Sequence, residues 1–129
     1  MDDPRSLFDV SGRVALVTGA SAGLGRRAAL VLAKAGGQVV CVARRREALK
    51  GLIGEIDQAA AYVVADVAER NSLPALREAV CHPFGSPDIL VHAAGINTRQ
   101  AADDVTPEGW DQTLALNLSA PFFLSQVLV

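Results

Sequence analysis

The sequence predicts an α/β fold in which a doubly wound parallel sheet, with strand order 3-2-1-4, carries helices on both faces. Short apolar runs alternate with helical patterns along the 129 residues, and this alternation is typical of parallel sheets. Right-handed crossovers between consecutive strands then give the order of the strands. A glycine-bearing turn joins the first strand to the first helix, which places a candidate binding site at the end of that strand.

The first two strands are predicted as continuous apolar runs at residues 14–18 and 39–43, because strands buried on both faces show no polar alternation. The helix between them is rich in alanine and leucine over residues 24–35, and two glycines end it. Together these elements form the first strand–helix–strand unit of the sheet.

The middle of the chain continues the alternation. Leucine and isoleucine recur on one helical face over residues 49–56. A third strand is predicted at residues 61–64, a third helix over residues 73–80 and a fourth strand at residues 89–91. The chain is therefore expected to form one domain.

The last helix is predicted to begin where Thr106 can cap it, with proline at the first helical position. An apolar stripe that runs from Trp110 to Phe122 is expected to face inward, and Pro121 is expected to kink the helix. Asn117 lies seven residues after Trp110 and is expected on the same inward face. A buried asparagine needs partners, so it either bonds a neighbouring loop or belongs to the site.

Composition excludes several classes of function. Half the residues are apolar and the net charge is −2. The sequence has no basic stripe that would indicate a nucleic-acid partner. The apolar runs are too short to span a membrane, and the acidic start is unlike a signal peptide. Cys41 and Cys81 are predicted to be buried structural thiols in a reducing cytoplasm, and neither has the spacing of a metal site.

The turn after the first strand has the glycine spacing Gly-x3-Gly-x-Gly, at Gly19, Gly23 and Gly25. Glycines let the backbone approach a ligand, and the free N–H groups of a helix N-terminus face its negative charge. This turn predicts a pyrophosphate site, although a turn with only a packing role would show the same glycines.

Arginine follows the second strand, where dinucleotide folds that bind NAD place an acidic residue. An acidic residue bonds the ribose 2′-hydroxyl and repels a 2′-phosphate, whereas an arginine fork matches phosphate oxygens. We therefore expect NADP(H) to be preferred over NAD(H), with Arg44 as the main contact and Arg45 as a second one. The alternative is that both arginines begin a solvated helix.

Polar and small residues follow the other two strands. Asp66 can accept a bond from the adenine amino group or serve a local turn. Ala94 and Gly95 are small, as backbone close to a ligand requires. His92 is expected to be a hydrogen-bonded structural residue. Parallel strands bring these positions to the same rim of the sheet as the glycine turn.

The same turn also matches the Gly-x-Ser-x-Gly nucleophile elbow, with Ser21 as the nucleophile. A hydrolase would then use Asp66 or Asp88 as the acid and His92 as the base, in the required chain order. An elbow requires neither Gly25 nor arginines after the second strand. The dinucleotide interpretation is therefore favoured, with the hydrolase as a minor alternative.

These segments resemble the short-chain dehydrogenase/reductase family. Residues 18–25 resemble its Thr-Gly-x3-Gly-x-Gly cofactor motif, and Asp66 with Val67 is similar to its adenine-contacting pair. Residues 92–95 take the place of its Asn-Asn-Ala-Gly segment, and residues 110–118 resemble the helix that carries the asparagine of its catalytic tetrad.

The resemblance implies a Rossmann fold, a nicotinamide cofactor and hydride transfer with a small carbonyl or alcohol substrate. It implies Asn117 as a catalytic residue and a homo-oligomer, a tetramer or dimer, formed through the helix that contains Trp110. It also assigns the cofactor contacts to Gly19, Ser21, Gly23, Leu24, Gly25, Arg44, Arg45, Asp66, Val67, Ala94 and Gly95.

The family's serine and Tyr-x3-Lys motif follow the asparagine helix, whereas the only tyrosine of this chain is Tyr62 and its only lysines are Lys34 and Lys50. We therefore expect residues 1–129 to be the N-terminal, NADP-binding half of such an enzyme, without the remaining strands and inactive alone. A truncated module that binds NADP(H) without turnover is the alternative.

Overall fold

The computed structural model describes residues 3–129, and it confirms the predicted Rossmann-type α/β fold. A single parallel sheet has the strand order β3-β2-β1-β4, as predicted. The strands are β1 (Val14–Thr18), β2 (Gln38–Ala43), β3 (Ala60–Val64) and β4 (Ile89–His92).

The helices lie between and after the strands, within a few residues of their predicted bounds. They are α1 (Gly23–Lys34), α2 (Arg46–Glu55), α3 (Leu73–Cys81), α4 (Pro107–Leu114) and α5 (Ala120–Leu128). Ile56, predicted inside the second helix, is the residue just after it, but its side chain still packs on the core. Across residues 3–129, no helix is long and apolar enough to cross a membrane.

The core lies on both faces of the sheet, because its two central strands are buried from both sides. On one face, α1 and α2 pack Ala29 and Leu49 against β1 and β2. On the other face, α3 and α5 pack Leu76 and Leu124 against the same strands. Cys41 is fully buried in the core as predicted, whereas Cys81 is only half-buried.

The predicted last helix is divided rather than kinked at Pro121. A π-helical segment, Ala115–Ser119, separates α4 from α5, and Pro121 is the second residue of α5. Proline has no N–H to donate to the carbonyl of Asn117 in the α-helical pattern, so the irregularity lies in the turn before the proline. The cap by Thr106 is confirmed, because its hydroxyl accepts a bond from the Gly109 N–H at 3.0 Å.

The prediction that the stripe from Trp110 to Phe122 faces inward was wrong. Trp110 is 59% exposed and Phe122 is 62% exposed, and the buried face of α5 instead consists of Ala120, Leu124 and Leu128. Two apolar stripes run along this helix, and periodicity alone does not distinguish the one that packs on the sheet. Asn117 is therefore not buried among the stripe residues.

Candidate functional site

The carboxyl ends of the four strands form the rim of a cleft of about 250 Å³. Seven of the predicted site residues line it together, namely Gly19, Ser21, Arg44, Asp66, Val67, Ala94 and Gly95. The topology explains this convergence, because β2 and β4 flank β1 in parallel and all strands end on the same side. The other predicted site residues lie outside the lining.

The glycine turn is packed too closely for any side chain at two of its positions. Gly19 has φ of +62°, and a Cβ there would lie 2.6 Å from the Ala94 nitrogen and 2.7 Å from the Ala93 carbonyl carbon. A Cβ on Gly25 would collide with the Gly19 carbonyl oxygen and lie 2.8 Å from its carbon. These glycines therefore bring the β1–α1 turn into contact with the β4 end and with the helix itself.

Gly23, Leu24 and Gly25 are the first three residues of α1, so their N–H groups have no acceptor within the helix. The preceding residue makes no side-chain cap. The Leu24 side chain is 87% exposed, so it packs little on the rest of the protein. The turn thus presents backbone donors and the positive end of the helix dipole.

The two arginines after β2 lie in different places. Arg44 lines the cleft, whereas Arg45 is not among the lining residues. Its guanidinium Nη2 donates a hydrogen bond of 3.2 Å to Ser21 Oγ on the glycine turn. This bond ties the end of β2 to the turn after β1, whereas Arg44 is exposed at the rim of the cleft.

The local turn predicted as one role of Asp66 is present. Its Oδ1 accepts the Ala68 N–H at 3.0 Å, and its carbonyl oxygen accepts the Glu69 N–H at 3.1 Å, which is the predicted local turn. The same residue lines the cleft beside Val67, which is only 7% exposed. The turn fixes the carboxylate at the rim.

Thr18 begins the glycine motif, but sequence reasoning gave it no role; in the structure it joins two of the strand ends. Thr18 is 2% exposed, and its Oγ1 accepts the Ala94 N–H at 3.3 Å while lying 3.5 Å from the Val91 carbonyl oxygen. Besides its place in the motif, the signal for this role is a lone hydroxyl at the end of an apolar strand, because a polar group buried there needs a partner.

Asn117 holds the loop after β4 with both ends of its amide. Its Oδ1 accepts the Ile96 N–H at 2.9 Å, and its Nδ2 donates to the Ile96 carbonyl oxygen at 2.8 Å. Gly95 leaves room for this contact, since a Cβ there would lie 3.2 Å from the Asn117 oxygen. The structural bond to a loop, one of the two alternatives, is therefore present, and Ile96 itself lines the cleft.

The residues that a hydrolase would require are engaged separately. His92 Nε2 is hydrogen-bonded to Ser125 Oγ on α5 at 2.9 Å, the structural role expected for it, and desolvation lowers its pKa below the ordinary value of 6.5. Ser21 instead accepts its bond from Arg45. Among the described residues, the hydrogen bonds thus assemble no serine–histidine dyad at the glycine turn.

Comparisons with known proteins identify relatives of this chain. The family model described as short chain dehydrogenase matches residues 13–129. The D-threitol dehydrogenase of Mycolicibacterium smegmatis is 38% identical over 124 residues, which cover 94% of this chain and 48% of that protein. The chain spans about half the length of the curated relatives it matches.

Solved structures share the fold closely. The L-sorbose reductase from Gluconobacter frateurii, complexed with NADPH and L-sorbose, has a TM-score of 0.83 and 33% identity, and the match covers 92% of this chain and 47% of that one. The 3-ketoacyl-(acyl-carrier-protein) reductase from Brucella melitensis, complexed with NADH, has a TM-score of 0.86 and 36% identity, with coverage of 93% and 50%.

Proposed function

Because the chain belongs to the short-chain dehydrogenase family, we propose that residues 1–129 form the dinucleotide-binding part of an oxidoreductase that prefers NADP(H) to NAD(H). The observation that carries the proposal is the cleft at the carboxyl ends of the four strands, where a glycine turn meets the β4 end and Arg44 stands after β2.

The residues present fit a dinucleotide. Gly19 lets the turn lie directly against the backbone of Ala94, and the amides of Gly23, Leu24 and Gly25 would hold the pyrophosphate. Asp66 and Val67 would border the adenine, and the small residues Ala94 and Gly95 would let the backbone run along the cofactor. When bound, the nicotinamide supplies the hydride.

Arg44 supports the preference for NADP(H). It is an exposed residue that lines the cleft after β2, where a 2′-phosphate would need a cation, and each charged hydrogen bond contributes about 1.5–3 kcal/mol, roughly 10- to 150-fold in affinity. Arg45 is proposed as a second contact, which would exchange its bond to Ser21 for the phosphate. The relatives include one structure with NADPH and one with NADH. The proposed preference for NADP(H) therefore rests on the arginines of this chain.

The proposed reaction is hydride transfer between the nicotinamide and a small carbonyl or alcohol substrate. The similarity to a D-threitol dehydrogenase and to an L-sorbose reductase favours a polyol or a keto sugar. Asn117 would act from the helix side by fixing the loop at Ile96. Tyr62 packs against the face of the sheet that α1 and α2 cover, so it is not proposed as the proton donor.

The test is a calorimetric titration of the 129-residue chain with NADPH and with NADH. We expect NADPH to bind at least ten-fold more tightly, and Arg44→Asp to remove this preference. Arg46→Asp, which makes the same charge change at an exposed residue outside the cleft lining, is the matched control. An Arg44→Asp variant that keeps the preference for NADPH would refute the assignment.

A second candidate function is cofactor binding without turnover. The chain has no Tyr-x3-Lys sequence, which favours this alternative for the chain by itself. NADPH oxidation assayed with a panel of aldoses, ketoses and keto acids separates the two. Binding without oxidation supports the binding module, and substrate-dependent oxidation supports the complete reaction.

The exposed stripe of Trp110, Leu118 and Phe122 supports self-association through α4 and α5. Leu118→Glu should therefore lower the molar mass, measured by size-exclusion chromatography with light scattering, towards that of the monomer.

The cysteines support a proposal about the compartment. Cys41 and Cys81 are free thiols, which supports the proposal of a reducing compartment such as the cytoplasm.

A further inference from the structure

An arginine outside the cleft stacks on an aromatic ring of the last helix. The guanidinium carbon of Arg70 lies 4.1 Å from the centroid of the Phe123 ring, well within the range of a cation–π interaction. The Phe123 ring also makes an edge-to-face contact with Phe122, with centroids 5.1 Å apart and planes at 87°. We call the pair Arg70 and Phe123 the brace.

The brace begins in the segment that carries the adenine side of the cleft. Between Asp66 and Arg70 the backbone is locked by successive turns, in which the Asp66 oxygens accept the N–H groups of Ala68 and Glu69. The carbonyl oxygen of Glu69 then accepts both the N–H and the hydroxyl of Ser72, at 3.0 and 2.7 Å. These hydrogen bonds therefore couple the position of Arg70 to that of Asp66.

The brace ends on the helix that continues into the opposite side of the cleft. Phe123 lies in α5, directly after the π-helical segment that contains Leu116 and Asn117. Leu116 lines the cleft, as does Ile96, which Asn117 holds by two hydrogen bonds. Asp66 therefore lies on one wall of the cleft and Ile96 on the other wall. The brace joins the two segments that carry these walls.

Packing beneath the brace is incomplete. A shallow pocket of about 20 Å³, the size of one water molecule, lies between Val67 and Leu73 on one side and Ala115 and Ser119 on the other. Val67, Leu73 and Ala120 still share one hydrophobic cluster beneath it, against which Phe123 packs. Arg70 and Phe123 line the pocket, so their contact adds to this packing at the surface.

We propose that the brace sets the separation of the two walls, and that Arg70 is a positioning residue for the adenine half of the dinucleotide. The inference rests on the proposed cofactor site but concerns a residue that does not line it. Arg70 acts through Asp66 and Val67, because it fixes the segment in which they lie.

The first test follows amide hydrogen exchange in the ligand-free 129-residue chain. Arg70→Met should speed the exchange of residues 66–72 several-fold and leave β1 and β2 unchanged. Arg70→Lys, which keeps a cation over the ring, should retain most of the protection. Arg77→Met, which removes the same charge from an exposed position on α3, is the matched control and should have no effect.

The second test titrates the same variants with adenosine 2′,5′-bisphosphate, which carries the adenine and the 2′-phosphate but no nicotinamide. Arg70→Met should weaken its binding about two- to five-fold, the range of one exposed cation–π contact. Phe123→Leu should weaken binding equally, and the double variant should be no weaker than either single one.

Unchanged exchange in Arg70→Met, or a Lys variant as impaired as the Met variant, would overturn the brace. Faster exchange with unchanged affinity would overturn the positioning role. Failure of the wild-type chain to bind both the bisphosphate and NADPH would instead refute the proposed function, and hydrogen exchange would still decide whether the brace holds the segment.

Discussion

Replacing Gly25 by alanine tests the closeness of the glycine turn to the first helix. The added Cβ would collide with the Gly19 carbonyl oxygen and lie 2.8 Å from the Gly19 carbon and 3.0 Å from the Thr18 oxygen. All three atoms are backbone, so no rotamer change relieves the contact and α1 must move away from β1. The same movement would displace the amides proposed to hold the pyrophosphate.

The magnitude follows from two opposing terms. Overpacking costs about 1–3 kcal/mol, and a clash with backbone belongs at the upper end of that range. Alanine gains about 1 kcal/mol over glycine in a helix, so the expected net loss in free energy of unfolding is about 2 kcal/mol. NADPH binding should be lost as well, because the helix N-terminus no longer faces the ligand.

Gly51 offers a matched control, because it lies inside α2 and a Cβ there would meet nothing within 4 Å. Gly51→Ala should therefore stabilise the chain by about 0.5–1 kcal/mol and leave NADPH binding intact. Urea unfolding followed by circular dichroism measures both variants. Equal changes in stability for Gly25→Ala and Gly51→Ala would refute the steric argument.

Three further predictions concern single side chains. Asn117→Ala should lower the free energy of unfolding by about 1–2 kcal/mol, measured in urea, because both hydrogen bonds to Ile96 are lost. Desolvation lowers the pKa of His92, so its contribution to stability is complete above pH 6.5 and falls as the pH drops through the folded-state pKa; urea midpoints at pH 8 and pH 5 measure this, and His92→Gln should reduce the difference. Burial raises the pKa of Cys41 to about 12, so a thiol reagent at pH 8 should label it only after unfolding.

The fold was predictable because its signals are local. Continuous apolar runs, a glycine turn after β1 and leucine spacing on α2 each act within about a dozen residues, and the right-handed crossover rule joins them into one topology. The common rim of Gly19, Arg44, Asp66 and Gly95 follows from that topology alone. Their roles toward a cofactor remain predictions.

What sequence reasoning missed depends on partners far apart in the chain. Thr18 is a site-shaping residue only because Ala94 lies beside it, and Arg70 is distinguished from other surface arginines only by the Phe123 ring. The inward orientation expected for Trp110 failed for a related reason. Two stripes of one helix are apolar, and the sheet packs against Leu124 rather than Trp110.

The loop after β4 depends both on its local sequence and on contacts with residues far away in the chain. Its small residues, Ala94 and Gly95, are what a close ligand requires, but they have no side chain that could hold the loop. Thr18 binds the loop from the β1 side, and Asn117 binds Ile96 from the helix side. The cofactor end and the proposed reaction end of the cleft therefore share one segment, and a change in either anchor should affect both.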